Sequence, residues 1–344
     1  MDEQDVLDRL RSVEDPHLEG DIIERGVVKA VHVDHELRVD LALEATGSPA
    51  EASIVNAVDE ALVDLDLPTT VEVVNADAAD AASQVLGSVS NVIAVASGKG
   101  GVGKTTIAVN LAAGLADRGA DVGLFDADVY GPNAPMMVAS EEGPKVTEDE
   151  TLVPPEAFGM KVMSMAFLVG EDDPIIWRGP MVHKVLTQLW EDVAWGELDY
   201  LVIDLPPGTG DTQLTLLQTI PLTGAVIVTT PQDVALHDAT KGLEMFSRHE
   251  TNVLGIVENM SGFRCPDCDA VHHIFDEGGG KRLAEAHQLP FLGSIPLDPV
   301  IRTGDRPAVL DEGNDSARVF REVVSDVADN VGIINRRRLT PSLQ

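Results

Sequence analysis

The chain has 344 residues, 44% of them hydrophobic, and 58 acidic against 24 basic residues give it a net charge of −34. The apolar share supports folded cores, while the lack of any run of 18 apolar residues excludes a membrane-spanning helix. So acidic a chain repels nucleic acid and anionic lipid unless its basic residues cluster; only Arg336-Arg337-Arg338 do, and they read as a solvated tail, so neither partner is expected.

The start, Met1-Asp2-Glu3-Gln4-Asp5, has neither the basic region nor the apolar stretch of a signal peptide, and a cytoplasmic setting is expected. The acidity is spread along the whole chain, which reads as halophilic adaptation to a salt-rich cytoplasm where repulsion is screened. Gln4 to Val13 reads as a helix with Val6, Leu7 and Leu10 on one face. Residues 26–33 and 37–43 read as two strands joined at Asp34-His35-Glu36. Ala50 to Leu65 reads as a second helix and Val71-Glu72-Val73-Val74 as a third strand. Residues 1–76 thus make a small α+β domain, large enough to fold alone. Residues 77–90, rich in Ala, Asp and Ser, read as a linker.

From Asn91 the pattern changes to short apolar runs alternating with helical stretches. The runs are Val92-Ile93-Ala94-Val95-Ala96, Val122-Gly123-Leu124-Phe125, Tyr200-Leu201-Val202-Ile203, Gly224-Ala225-Val226-Ile227-Val228 and Val253-Leu254-Gly255-Ile256-Val257. Unbroken runs of this kind predict a mainly parallel sheet covered by helices on both faces, an α/β domain over residues 91–335. Such sheets bind ligands at the carboxyl ends of their strands. In the last helix Phe320, Val323, Val324, Val327 and Val331 recur at helical spacing, interrupted by Asp326 and Asp329. That favours packing on the core over a membrane-seeking face. Residues 336–344 are left as the tail.

Gly98-Lys99-Gly100-Gly101-Val102-Gly103-Lys104-Thr105 matches the P-loop pattern, after a predicted strand and before a predicted helix, and so predicts ATP binding and a P-loop NTPase fold. Its glycines let backbone N–H groups cradle phosphate, and the helix N-terminus adds partial positive charge. Lys104 is expected on the β and γ phosphates and the Thr105 hydroxyl on Mg²⁺, with Thr106 beside it. Lys99 is not required by the pattern; it either stabilises charge on the transferring phosphoryl group or is solvated. Asp126 and Asp128 follow the second run, where carboxylates polarise water or hold Mg²⁺ through water. Asp204 closes the third run in the Walker B manner, and Gly208 offers an N–H to the γ phosphate. Asn259 follows the fifth run, as a reader of the base edge or as a turn former.

Cys265 and Cys268 are the only cysteines. Their spacing points to metal or redox chemistry rather than a disulfide. A closed zinc site or iron–sulfur cluster wants four ligands, and two copies across a symmetric dimer supply them. His272 and His273 could instead complete a zinc site within one chain. Both metals fit the residues.

Lys99-Gly100-Gly101-x-Gly103-Lys104-Thr105-Thr106 is similar to the deviant Walker A motif of the septum-site and partition ATPases, the nitrogenase iron protein and the Mrp-type carriers. The resemblance implies that Lys99 reaches across a dimer interface to the other copy's nucleotide, that Asp128 places the attacking water and that Asn259 contacts adenine. Gly131-Pro132-Asn133, Trp177-Arg178-Gly179-Pro180-Met181, the run from Asp199 to Asp211, Thr230-Pro231-Gln232, Glu258-Asn259-Met260-Ser261, Cys265-x-x-Cys268 and Ile274-Phe275 resemble the Mrp/ApbC iron–sulfur cluster carriers, from about Asn91 to about Val331. The first eighty residues resemble the small domain shared by other iron–sulfur assembly factors. There Ser48 of Thr46-Gly47-Ser48-Pro49 stands where a cysteine is frequent, which leaves client docking as the expected role. The family implies a homodimer with a bridging [4Fe–4S] cluster on the two Cys pairs, handed to apo iron–sulfur proteins, with slow Mg²⁺-dependent ATP hydrolysis gating the cycle. The alternatives are a spatial-organising switch of the septum-site or partition type, a zinc-bound P-loop regulator, and an electron-transfer ATPase, whose cluster cysteines come from separate loops.

Overall fold

The computed structural model describes residues 2–65, 67–74, 89–129, 131–139, 143–168, 192–265, 267–268, 270–299, 301, 306–313, 315–339 and 341. Most of the expected linker, and the Trp177-Arg178-Gly179-Pro180-Met181 stretch, lie outside them. The chain forms two compact units, Met1–Ala82 with Ala328–Gln344, and Ser83–Val327.

In the first unit, α1 (Glu3–Leu10) starts from a capping box, in which the Asp2 and Asp5 side chains each accept the other's backbone N–H at 3.0 Å. The antiparallel pair β1 (Val28–Val33) and β2 (Leu37–Leu41) is followed by α2 (Pro49–Leu62) and by β3 (Thr69–Val73), which runs parallel to β2. Val6, Leu7 and Leu10 of α1 meet Ile54, Val58 and Leu62 of α2 and the inward side chains of β2 in one core. The second helix starts a residue earlier than its periodicity suggests, because Ser48 caps it by accepting the Glu51 N–H with Pro49 in the first turn.

The second unit opens with β4 (Val89–Ser97), so Val89 and Ser90 belong to a strand and not to a linker. There follow α3 (Lys104–Asp117), β5 (Val122–Asp126), the short α4 (Ala134–Met137), the small hairpin β6 (Lys145–Val146) and β7 (Leu152–Val153), then β8 (Glu156–Ala157) and β9 (Met160–Ser164). The chain continues through β10 (Leu198–Asp204), α5 (Asp211–Thr219), β11 (Gly224–Thr229), α6 (Asp233–Arg248), β12 (Val253–Arg264), β13 (Val271–His272), α7 (Gly279–His287), β14 (Phe291–Leu297) and α8 (Asp315–Arg338). The sheet order is β13-β12-β11-β4-β10-β5-β9-β8, with β14 also paired to β12; β8 and β13 are antiparallel and the other pairings parallel. Val92 to Ala96 are all buried, as are all five residues of β5 and all six of β11. Successive strand residues point to opposite faces, so these strands are covered on both. Strand β12 outlasts its apolar run: it carries Glu258, Asn259, Met260 and Ser261 within it and continues to the cysteines.

The expected tail is a second correction. Helix α8 runs to Arg338, and Arg336 is fully buried within the first unit, its Nε 2.6 Å from Asp15 Oδ2 and its Nη1 2.9 Å from Glu51 Oε1. Arg337 and Arg338 are exposed. Consecutive helix residues point about 100° apart, so one arginine of three turns inward while its neighbours stay in water. Gly332, one turn earlier, leaves the room: a Cβ there would lie 2.7 Å from both the Arg336 guanidinium and the Glu51 carboxylate.

Candidate functional site

The phosphate loop, residues 98–103, joins central β4 to α3. Gly98 passes so close to α6 that a Cβ would sit 2.2 Å from the backbone carbon of Asp238. Gly103 takes φ +85 as the N-cap of α3, and a Cβ there would lie 2.1 Å from Asn259 Nδ2. Two of the motif's glycines are thus set by close approach from elements far away in sequence. The loop opens on a cleft of about 270 Å³ lined by Ser97, Gly100, Gly101, Lys104, Thr105, Thr106, Asp128 and Pro207 among others.

Two carboxylates, Asp128 just after β5 and Asp204 at the end of β10, approach one ammonium. Lys104 Nζ lies 2.5 Å from Asp204 Oδ1 and 4.0 Å from Asp128 Oδ2, and the Thr105 hydroxyl donates to Asp204 Oδ2 at 2.6 Å. Burial pushes the Asp204 carboxyl upward, and the Lys104 ammonium opposes it. Asp126 does not face water as its position after the run suggests. It is fully buried and accepts the Asp128 N–H at 3.2 Å, the Ala134 N–H at 2.9 Å and the Ser164 hydroxyl at 3.2 Å. It therefore holds the turn that presents Asp128. Burial, with Asp204 beside it, raises its carboxyl to about 7. Ser164, at the end of β9, carries no motif, and only the β5–β9 pairing brings it here.

Lys99 is half-buried, its ammonium 3.4 Å from Gln232 Oε1, apart from the cleft lining. Gly208 takes φ +93 and donates its N–H to the Ser97 carbonyl at 3.0 Å, which ties the loop after β10 to the start of the phosphate loop. Asn259 is buried, and its Nδ2 donates to the Val102 carbonyl at 2.8 Å. The structure thus places its amide on the phosphate loop. Beside it Glu258, given no role of its own in the sequence, accepts the N–H groups of Gly278 and Gly280 and so caps α7.

Cys265 and Cys268 sit at the tip of the β12–β13 hairpin, which is closed by the Cys265 N–H to the Ala270 carbonyl at 2.9 Å. Cys265 is half-buried and Cys268 exposed. His273 Nδ1 lies 2.9 Å from Glu277 Oε2. Among the described residues no three His, Cys, Asp or Glu side chains converge as metal ligands, so His272 and His273 are not seen to complete a zinc site with the two thiols.

The family described as NUBPL iron-transfer P-loop NTPase matches residues 88–331, and the one described as iron-sulfur cluster assembly protein matches residues 3–92. The iron-sulfur cluster carrier protein of Synechocystis sp. is 43% identical over 343 residues, covering 95% of this chain and 97% of that protein. The iron-sulfur cluster transfer protein NUBPL of Mus musculus is 49% identical over 245 residues, 70% of this chain and 77% of its own. Among solved structures, a nucleotide-binding protein of Archaeoglobus fulgidus in complex with ADP is similar at TM-score 0.56 and 37% identity, over 70% of this chain and 89% of that one. The cell division ATPase MinD of Pyrococcus furiosus shares the fold at TM-score 0.52 and 23% identity, over 69% of this chain and 98% of that one. With both units matched and the likeness to the Synechocystis protein running nearly end to end, the chain belongs to the iron–sulfur cluster carriers, ATP-binding P-loop NTPases preceded by a small iron–sulfur assembly domain.

Proposed function

We propose that the chain acts as a homodimer that hydrolyses ATP slowly and holds a [4Fe–4S] cluster between the Cys265 and Cys268 pairs of two copies before passing it to apo iron–sulfur proteins. One observation carries this reading: the chain's only two thiols share a hairpin tip on the strand whose Asn259 touches the phosphate loop. A centre wanting four ligands then draws on a second copy.

In this reading the backbone N–H groups of Gly98 to Thr106 receive the phosphates, and Lys104 exchanges its contact with Asp204 for the β and γ oxygens. Thr105 and Asp204 would hold Mg²⁺, which would supply positive charge against the phosphoryl oxygens. The Thr105 hydroxyl and the Asp204 carboxylate, 2.6 Å apart, are hard oxygen donors of the kind Mg²⁺ takes. Asp128 orients the attacking water, and Gly208 supplies an N–H to the γ phosphate. Lys99 crosses to the nucleotide of the second copy. The small unit docks clients and carries no thiol chemistry: the Ser48 hydroxyl is buried and donates to Asp329 Oδ1 at 2.5 Å. The acid excess belongs to a salt-rich cytoplasm.

Anaerobic reconstitution with iron and sulfide tests the reading. The expected result is broad absorbance in the visible blue with about four irons per two chains, a dimer by light scattering, and loss of both colour and iron in Cys265→Ser. Stoichiometric zinc with no bound iron would overturn it.

A further inference from the structure

The strand that carries the cysteines also touches the phosphate loop, and one side chain makes the contact. Asn259 lies on β12, paired with Ile295 of β14. Its Nδ2 donates to the Val102 carbonyl at 2.8 Å, and its Oδ1 accepts the Met260 N–H at 3.0 Å. The Val102 carbonyl and the Gly103 N–H are the two ends of one planar trans peptide, so they point in opposite directions. Holding the carbonyl against Asn259 turns the Gly103 N–H to the loop's other side, and Gly103 lines the cleft. The approach has no slack, since a Cβ on Gly103 would lie 2.1 Å from the Asn259 amide nitrogen.

Beyond Asn259 the strand is irregular. Met260 takes φ 58 and Gly262 φ 117, and the pairing with β14 slips between Asn259 and Phe263. A non-glycine residue keeps a positive φ only where its surroundings hold it there. Here one hold is the side chain of Asn259, through the Met260 N–H. Regular pairing resumes at Phe263 with His272 and Arg264 with Val271, and leads directly to Cys265. A single amide thus joins a phosphate-facing peptide to the bulge at the foot of the cysteine hairpin.

We propose that Asn259 is a positioning residue that transmits nucleotide occupancy from the Val102–Gly103 peptide, through the Met260 kink, to the hairpin of Cys265 and Cys268. This rests on the reading of those cysteines as the cluster's ligands. When phosphate takes the Gly103 N–H, the peptide turns and the Asn259 amide follows the Val102 carbonyl. The Met260 N–H then gains or loses its acceptor, and the bulge is the element with two arrangements. The adenine contact implied by the resemblance is the competing role for Asn259, and it predicts a loss of base discrimination instead of a loss of coupling.

The two thiols report on the hairpin with no cluster bound, because they are the only cysteines in the chain. The rate at which a fluorescent maleimide labels the cluster-free full chain is measured with and without saturating Mg-ATP, alongside ATP and GTP affinities by titration. In the wild type, nucleotide should change the labelling rate by about fivefold or more, the lower end of usual coupling between sites. Asn259→Asp keeps the shape and the acceptor but has no N–H for the Val102 carbonyl, and its ratio should fall to about one. Met260→Gly removes the positive-φ constraint, should lower the ratio as well, and decides the matter if Asn259→Asp does not fold. A wild-type rate indifferent to bound ATP overturns the proposal, as does an undiminished ratio in the variants. Loss of the ATP-over-GTP preference with the ratio intact assigns Asn259 to adenine and also overturns it. If iron never binds but the labelling ratios behave as described, the coupling stands and the cluster reading falls.

Discussion

Lys104 and Lys99 belong to one short motif yet stand in different surroundings. Lys104 is buried and pairs with Asp204, whereas Lys99 rests beside Gln232. If Lys99 acts on the nucleotide of a second copy, Lys99→Ala should retain ATP binding and lose turnover by about 10²-fold, the usual effect of removing one donor from a developing charge. Steady-state ATPase assays beside a nucleotide titration decide it, and unchanged turnover would show a merely solvated lysine. The meeting of Lys104 and Asp204 at one sheet edge was legible from motif and strand pattern. The place of Asp126 was not, because a carboxylate after an apolar run looks the same in sequence whether it faces solvent or, as here, caps a buried turn with help from Ser164.

At the scale of elements, α8 shows how a charge run misleads. Arg336-Arg337-Arg338 reads as one solvated block, but the helix sends its first member into a buried ion triad with Asp15 and Glu51. Breaking such a triad leaves uncompensated charge, so Arg336→Met should cost about 3–5 kcal/mol, measured by denaturant unfolding. Within the triad, Asp15 carries a pH dependence of its own. Burial raises the Asp15 carboxyl, but Arg336 and the N–H groups of His17 and Leu18 outweigh it and hold it below the ordinary 3.8. Folded Asp15 therefore binds a proton more weakly than the unfolded residue. Its contribution to stability is full above pH 3.8 and is lost as the pH falls through the lower folded value. Asp15→Asn should melt below the wild type at neutral pH, with a gap that narrows under pH 3.8. A gap constant with pH would show that shape, not charge, matters there. The apolar stripe of α8 behaved as its spacing predicts: Phe320, Val323, Val324, Val327 and Val331 are all buried, which leaves them unsuited to a membrane surface.

For the whole molecule, the net charge of −34 is the dominant physical fact. Self-repulsion of this size destabilises a compact state at low ionic strength, and salt screens it over about 10 Å at 0.1 M and less at higher concentration. Melting followed by circular dichroism should show a folded chain in molar KCl and a destabilised one in dilute buffer. Equal stability in both would remove the reading of adaptation to salt. No helix among the described residues is long and apolar enough to cross a membrane.

By itself the sequence determined the two-part α/β organisation, the phosphate loop and the paired cysteines. Each is written in local spacing: unbroken strand runs, glycines next to a lysine, two thiols three positions apart. The tertiary structure alone decided what those pieces touch. It placed Asp238 behind Gly98, Ser164 under Asp126, Arg336 beside Asp15 and Asn259 against Val102. These neighbours are set by strand order and helix packing, which bring together residues that no local pattern relates.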